Sequence, residues 1–155
     1  MNILDYIQEH GHEQLVCFAE PDVGLKGFIA IHSTVLGPSC GGLRIWPYES
    51  EDDAILDVLR LSKAMSYKSA AADTGLGGGK AVIMADANTD KSNDLIRAFG
   101  MHVEALAGGY LTTSDVGSTT NDLETVSETT SYVVGLPSSR GGSGDTSVMT
   151  GLGVY

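Results

Sequence analysis

The apolar residues of this chain change period again and again, and that alternation constrains the fold more than any single motif. Residues 14–19 and 27–32 alternate in the manner of strands, and Pro21, Asp22 and Gly24 between them mark a turn. The pair reads as a hairpin. Ser50, followed by three acids, then opens a helix that runs to about Ala72, with Ile55, Val58, Leu59, Ser62 and Met65 on one stripe. Residues 80–86 form a short apolar run of the kind found in buried strands. Ser92 caps a second long helix over 93–107, whose inward face is Leu95, Ile96, Phe99, Val103 and Leu106, and Gly108-Gly109 stops it. A brief strand at 110–112, a helix at 119–127 and a short strand at 132–134 follow. Residues 2–10 read as a short helix ended by Gly11. Residues 33–49 read as loop with one short strand near 43–46. Residues 136–145 read as a Gly/Ser-rich loop, and Asp145 as the cap of a last helix starting at Thr146. Strands alternating with helices imply an α/β domain. The early hairpin makes the sheet mixed rather than purely parallel. With no repeat and no internal boundary, residues 1–155 are expected to form one domain, a mixed β-sheet flanked by helices.

Composition narrows the function classes. An apolar share of 42% and a charged share of 19% are those of a globular chain. The formal charge of −11, with only nine scattered Lys and Arg, argues against nucleic acid and against anionic membrane surfaces. No apolar run approaches membrane-spanning length, and the amino terminus has no basic region followed by an apolar core. Cys17 and Cys40 have no metal or redox spacing, which fits a reducing compartment, so the cytoplasm is expected.

Two lysines carry the chemistry. Lys68 sits among small and apolar residues near the end of a helix, and Lys80 follows Gly77-Gly78-Gly79 at the head of an apolar run. A lysine in a dry site beside another cation is pushed toward its neutral form, because the ammonium loses water and feels repulsion. A proton acceptor beside a carboxylate anchor would result. The glycine clusters at 75–79, 108–109 and 141–144 imply tight turns or close approach of backbone to a ligand. The glycine run is not a phosphate loop, since Thr74 and Ala81 stand where glycine and Ser/Thr are required. Nor is it a dinucleotide fingerprint: it precedes a strand instead of following one. His10 and His12 form the only close histidine pair, which reads better as a polar helix end than as a metal site. No Gly-x-Ser-x-Gly elbow is present. Cys40 lies in a glycine loop, where a small filler is the better reading than a nucleophile.

Four motifs in order are Gly37-Pro38-Ser39-Cys40-Gly41-Gly42-Leu43-Arg44, Met65-Ser66-Tyr67-Lys68-Ser69-Ala70, Gly77-Gly78-Gly79-Lys80 and Thr112-Thr113-Ser114-Asp115-Val116-Gly117. Together they resemble the amino-terminal substrate and dimerisation domain of the glutamate/leucine/phenylalanine/valine dehydrogenases, most nearly the leucine and phenylalanine branch. The resemblance covers essentially the whole chain. It implies that Lys68 binds the substrate carboxylate and that the Gly41-Gly42 backbone lies along it. It implies further that Lys80 binds the carbonyl oxygen and a catalytic water, and that Asp115 handles protons and the amino group. Cys40, Met65 and Thr113 would line the pocket, and Thr150 matches a threonine near the nicotinamide of NAD in full-length relatives. A fixed ammonium suits a carboxylate, a depressed lysine can polarise a carbonyl, and a carboxylate nearby can move protons. The bland alternatives are that Lys68 closes a helix at the surface and that Asp115 caps the next helix.

The resemblance also has departures. Relatives often carry larger or plainly apolar residues where Cys40 and Thr113 stand, so this pocket is expected to be more polar. The stretch from Gly144 to Thr150 lacks the family's proline at the domain junction. Taken as a whole protein, the chain ends about where the nucleotide-binding (Rossmann) domain would begin, so no cofactor is expected in it. Three readings follow. The preferred one is a stand-alone domain acting on a small amino acid, keto acid or imine by cofactor-independent proton transfer, condensation or cyclisation at Lys68, Lys80 and Asp115. The second is a substrate-binding fragment of an NAD-dependent L-amino-acid dehydrogenase of the leucine or phenylalanine type, or one chain of such an enzyme split in two, with a separate nucleotide-binding subunit. The third is a non-catalytic assembly module. A homo-oligomer is expected in each.

Overall fold

A computed structural model describes residues 2–144 and 151–152. Five strands form one mixed sheet in the order β1-β2-β4-β3-β5. The strands are β1 (Gln14–Glu20), β2 (Leu25–Ser33), β3 (Ser39–Trp46), β4 (Gly77–Met84) and β5 (Tyr110–Ser114). The hairpin is present: β1 and β2 pair antiparallel from Gln14↔Ile31 to Glu20↔Leu25, joined by a 3-10 turn, Pro21–Val23, that Gly24 closes in the left-handed region. β2 then pairs antiparallel with β4, and β3 lies parallel between β4 and β5. The helices are α1 (Ile3–His10), α2 (Glu51–Ala71), α3 (Asn93–Glu104) and α4 (Thr120–Val126).

Local chemistry sets the helix ends. Gly11 ends α1 with φ 76°, its N–H donating to the Ile7 carbonyl. Ser50, Ser92 and Thr119 cap the starts of α2, α3 and α4 by accepting from the amides of Asp53, Leu95 and Asp122. At α4 the cap is reciprocal, since the Asp122 carboxylate also accepts from the Thr119 amide.

Four expectations need correction. The loop expected over 33–49 contains β3, eight residues long and central in the sheet. The glycine run expected to precede a strand lies inside β4. In both places a ladder on each side outweighs the low strand propensity of glycine. The strand expected at 132–134 is a single bridge, Thr112↔Val133. α3 also stops three residues early, at Glu104, because the chain turns through Ala107 (φ 49°) and Gly108 (φ 88°). The expected cap at Asp145 and the helix from Thr146 fall outside the described residues.

Alternation along β2 divides the core. Ile29 and Ile31 face α3 and α4, joined there by Leu43, Ile45, Ala81, Ile83, Phe99 and Val103. Phe28 and Ala30 face the other way, packing with Val82 against Ala54, Ile55, Val58 and Leu59 of α2. α2 crosses β2 and β4 and barely reaches β3. The β3–β5 half of that face is therefore left without a helix above it among the described residues. The candidate site lies along the border of this bare half-sheet, between β4, β3 and the loop after β5.

Candidate functional site

The floor of the site is built by glycine. Gly78 lies beneath α2 so closely that a Cβ there would stand 2.6 Å from the Ser62 carbonyl and overlap the Ser66 amide. On β3, a Cβ at Gly41 would overlap the Gly79 carbonyl, and one at Gly42 would stand 2.7 Å from both Asp115 Cβ and the Ser114 carbonyl. The clusters at 41–42 and 77–79 thus permit close approach of backbone to protein. Among the neighbouring glycines it is Gly75, with φ 68° and open space around it, that makes a turn.

Two residues past Gly78, and so on the same face, Lys80 is paired in the ladder with Ala30 and is only 4% exposed. Its Nζ lies 3.0 Å from Asp115 Oδ1. Asp115 follows β5 on a short loop tied to β3. Its amide donates to Ser118 Oγ, Ser118 Oγ donates to the Leu43 carbonyl, and the Ile45 amide donates to the Val116 carbonyl. The cap of α4 is Thr119, so Asp115 is not a helix cap; its carboxylate is turned to the sheet. There a second cation meets it. Arg44 Nε donates to Asp115 Oδ2 at 2.9 Å, and Arg44 NH1 donates to Asp57 Oδ2 at 2.8 Å. The Tyr48 hydroxyl donates to the same Asp57 oxygen at 2.6 Å. Lys80, Asp115, Arg44, Asp57 and Tyr48 thus form one chain of alternating charge ending in a phenol.

Burial dominates the Lys80 ammonium and pulls it below the ordinary lysine value; Asp115 opposes this and the Arg44 charge adds to it. Burial works to raise the Asp115 carboxyl, but Lys80 and Arg44 together hold it below its ordinary value. The partners respond differently because Arg44 attracts one and repels the other. Burial likewise raises the Tyr48 hydroxyl, with Asp57 beside it adding to the effect. At neutral pH the site presents an ionised acid and an ammonium that parts with its proton more readily than a surface lysine.

The expected residues do not all gather here. Lys68 lies in the last turn of α2 and is exposed to solvent. The cation beside Lys80 is therefore Arg44, not Lys68 as the sequence had indicated. Cys40 is buried on β3, its thiol raised by burial. Thr113 is half-buried opposite Gly42 in the β3–β5 register, and Met65 is half-buried on α2. The Gly41 carbonyl accepts from the buried Tyr110 hydroxyl at 2.7 Å. Thr150 lies outside the described residues. Sequence reasoning missed Arg44, Asp57 and Tyr48 as site groups. A signal existed for Arg44, which shares the Gly42 face of a strand and could not be buried there unpaired. An open cavity of about 390 Å³ lies against these three residues, Trp46 and Val116.

A family model described as Glu/Leu/Phe/Val dehydrogenase, dimerisation domain, matches residues 12–134. Phenylalanine dehydrogenase of Bacillus thermotolerans is 54% identical over 143 residues, 92% of this chain and 37% of that protein. Leucine dehydrogenase of Bacillus subtilis (strain 168) is 46% identical over 155 residues, 100% of this chain and 43% of that protein. The crystal structure of L-tryptophan dehydrogenase from Nostoc punctiforme superposes with a TM-score of 0.83 at 45% identity, covering 86% of this chain and 39% of that one. The chain spans roughly two-fifths of the length of these relatives. The family model's span, which contains all five strands, together with relatives of 45–54% identity leads to one conclusion: the chain belongs to the Glu/Leu/Phe/Val dehydrogenase family and is an amino-acid dehydrogenase domain of the leucine and phenylalanine type.

Proposed function

We propose that this domain is the amino-acid-binding and proton-handling part of an L-amino-acid dehydrogenase of the leucine or phenylalanine type. The observation that carries the reading is the Lys80–Asp115 pair, at the border between the strands that α2 covers and the uncovered β3–β5 half, with the amine nearly dry and depressed. Lys80 donates to the carbonyl oxygen of a 2-oxo acid, or to the water that becomes that oxygen. Asp115, ionised at neutral pH, accepts the proton that the substrate amino group must lose. Lys68 and the Gly41-Gly42 backbone receive the substrate carboxylate, and Cys40, Met65 and Thr113 bound its side chain. The described residues do not fit a dinucleotide: Gly77, Gly78 and Gly79 are packed on protein inside β4 and offer no phosphate cradle. No hydride step is assigned to them, and binding of NAD falls to residues outside the described set or to a separate subunit. The enzyme so formed is a cytoplasmic homo-oligomer.

Calorimetry of the chain with leucine, phenylalanine and their 2-oxo acids tests the reading. Binding of at least one 2-oxo acid is expected, weakened roughly tenfold or more by Lys68→Ala, since a hydrogen bond between charged groups is worth about 1.5–3 kcal/mol. No binding across the panel would overturn it. A second reading has one observation in its favour, the assembly of Lys80, Asp115 and Arg44 within this chain alone. It is cofactor-free proton transfer at the same groups. Exchange of the C3 protons of a 2-oxo acid with deuterated water, lost in Lys80→Ala, would mark that reaction.

A further inference from the structure

Asp115 is shared. Its two carboxylate oxygens point to different cations, Oδ1 to Lys80 and Oδ2 to Arg44. Arg44 spans two acids from opposite sides of the site, Asp115 beyond β5 and Asp57 on α2. The guanidinium holds both at 2.8–2.9 Å, with the Tyr48 hydroxyl closing the far end on Asp57. The proton handling proposed above uses only Lys80 and Asp115, so this extension has no role in it.

We propose that Arg44, Asp57 and Tyr48 are positioning residues that divide the Asp115 carboxylate, leaving Lys80 one oxygen instead of two and so keeping its amine free to exchange a proton. A buried lysine facing an undivided carboxylate would settle into a closed ion pair, and such a pair holds its proton tightly. Arg44 prevents this in two ways. It occupies Oδ2, and its permanent charge repels the ammonium. Asp57 and Tyr48 keep the guanidinium from swinging away into the neighbouring cavity. The charged groups that act on Lys80 are Asp115 beyond β5, Arg44 on β3 and Asp57 on α2. Their signs give the arrangement a testable asymmetry. Loss of Arg44 removes a repelling cation and frees Oδ2, so Lys80 holds its proton to higher pH. Loss of the Asp57 charge removes an attracting anion and leaves the Arg44 charge less neutralised, so Lys80 gives up its proton at lower pH.

This inference rests on the proposed role of Lys80, but its test needs no substrate. The acetylation rate of Lys80 by acetic anhydride is followed from pH 6 to 11 by mass spectrometry of the intact chain's peptides. Exposed Lys26 serves as the internal standard. Arg44→Gln is expected to raise the Lys80 midpoint by about one pH unit, a tenfold loss of free amine at a given pH below it. Asp57→Asn is expected to lower it. Opposite shifts in the first two variants support the division; a variant that merely loosened the fold would move both the same way. Shifts of one sign, or none, overturn it. If Arg44→Gln does not fold, Arg44→Met, which also removes the charge, takes its place beside Asp57→Asn with the same upward shift expected. Calorimetry with the 2-oxo acids separates the two levels. Normal binding with unmoved Lys80 midpoints defeats only this inference, and opposite shifts without any binding defeat only the proposed function.

Discussion

At the scale of single residues, the glycines and the buried pair give the sharpest expectations. Gly78→Ala drives a methyl group into the backbone of α2, where no flexible neighbour can yield. Its cost should approach the upper end of overpacking penalties, about 3 kcal/mol, in urea unfolding. Gly75→Ala meets open space and carries only the left-handed strain, about 1 kcal/mol. Equal costs would mean that the glycine floor is not close-packed. Asp115 carries a pH signature. Its carboxyl is held below the ordinary value near 4, so the unfolded chain binds the proton more readily. The stabilisation is complete above that value and disappears as pH falls through the lower folded value. Asp115→Asn should therefore be less stable at neutral pH and should lose the acid limb that lies below the ordinary carboxyl value. An unchanged limb would show that other carboxylates supply it.

At the scale of elements, the helix ends are separable modules. Thr119→Ala should cost about 1 kcal/mol through the lost α4 cap. Asp122→Ala should cost more, because the Asp122 carboxylate both completes the cap and receives Lys91 Nζ at 2.9 Å. α1 has a different dependence. His12 is buried where the chain leaves α1, its Nε2 within 2.8 Å of the Leu59 carbonyl of α2, while its Nδ1 is buried without a partner. Burial lowers it from the ordinary histidine value, and the nearby His32, His10 and Lys63 charges add to this. The folded chain thus holds His12 neutral. Stability from this site is present above the ordinary value near 6.5 and falls as pH drops below it. His12→Gln should flatten the loss of stability as pH falls below the ordinary histidine value, measured by denaturant unfolding. The same contrast between local and long-range causes decides what the sequence made legible. Caps, stripes and the Gly11 stop are written in neighbouring residues, so α1 through α4 and the hairpin were readable. β3 was read as a four-residue strand because its glycines look like loop, and only partners forty and seventy residues away make it central. Lys80 and Asp115 were legible through motifs. Arg44, Asp57 and Tyr48 were not, because their meaning lies in a meeting between elements that no spacing encodes.

For the whole molecule, the sheet order places the polar cluster where α2 runs out of reach. The remaining half-face is expected to receive a small carboxylate ligand, and ligand binding to the folded state alone raises stability by mass action. A 2-oxo acid at a hundredfold excess over its dissociation constant should add about 2.7 kcal/mol, visible as a rise in Tm that Lys68→Ala reduces. No rise at that excess would mean that the half-face does not bind as a unit. The glycine floor has one more implication, for how such a domain diversifies. At positions 41, 42 and 78 even a methyl group strikes main chain, so the ground beneath the ligand offers mutation no purchase. A library randomised there should yield almost exclusively insoluble protein. Under the proposed function, preference among ligands of different size is expected to be tuned from Cys40, Met65 and Thr113, where side chains already exist to be exchanged. Adaptability and anchoring thereby occupy separate addresses in the chain, and a laboratory seeking a new amino acid for this scaffold should leave the bedrock untouched.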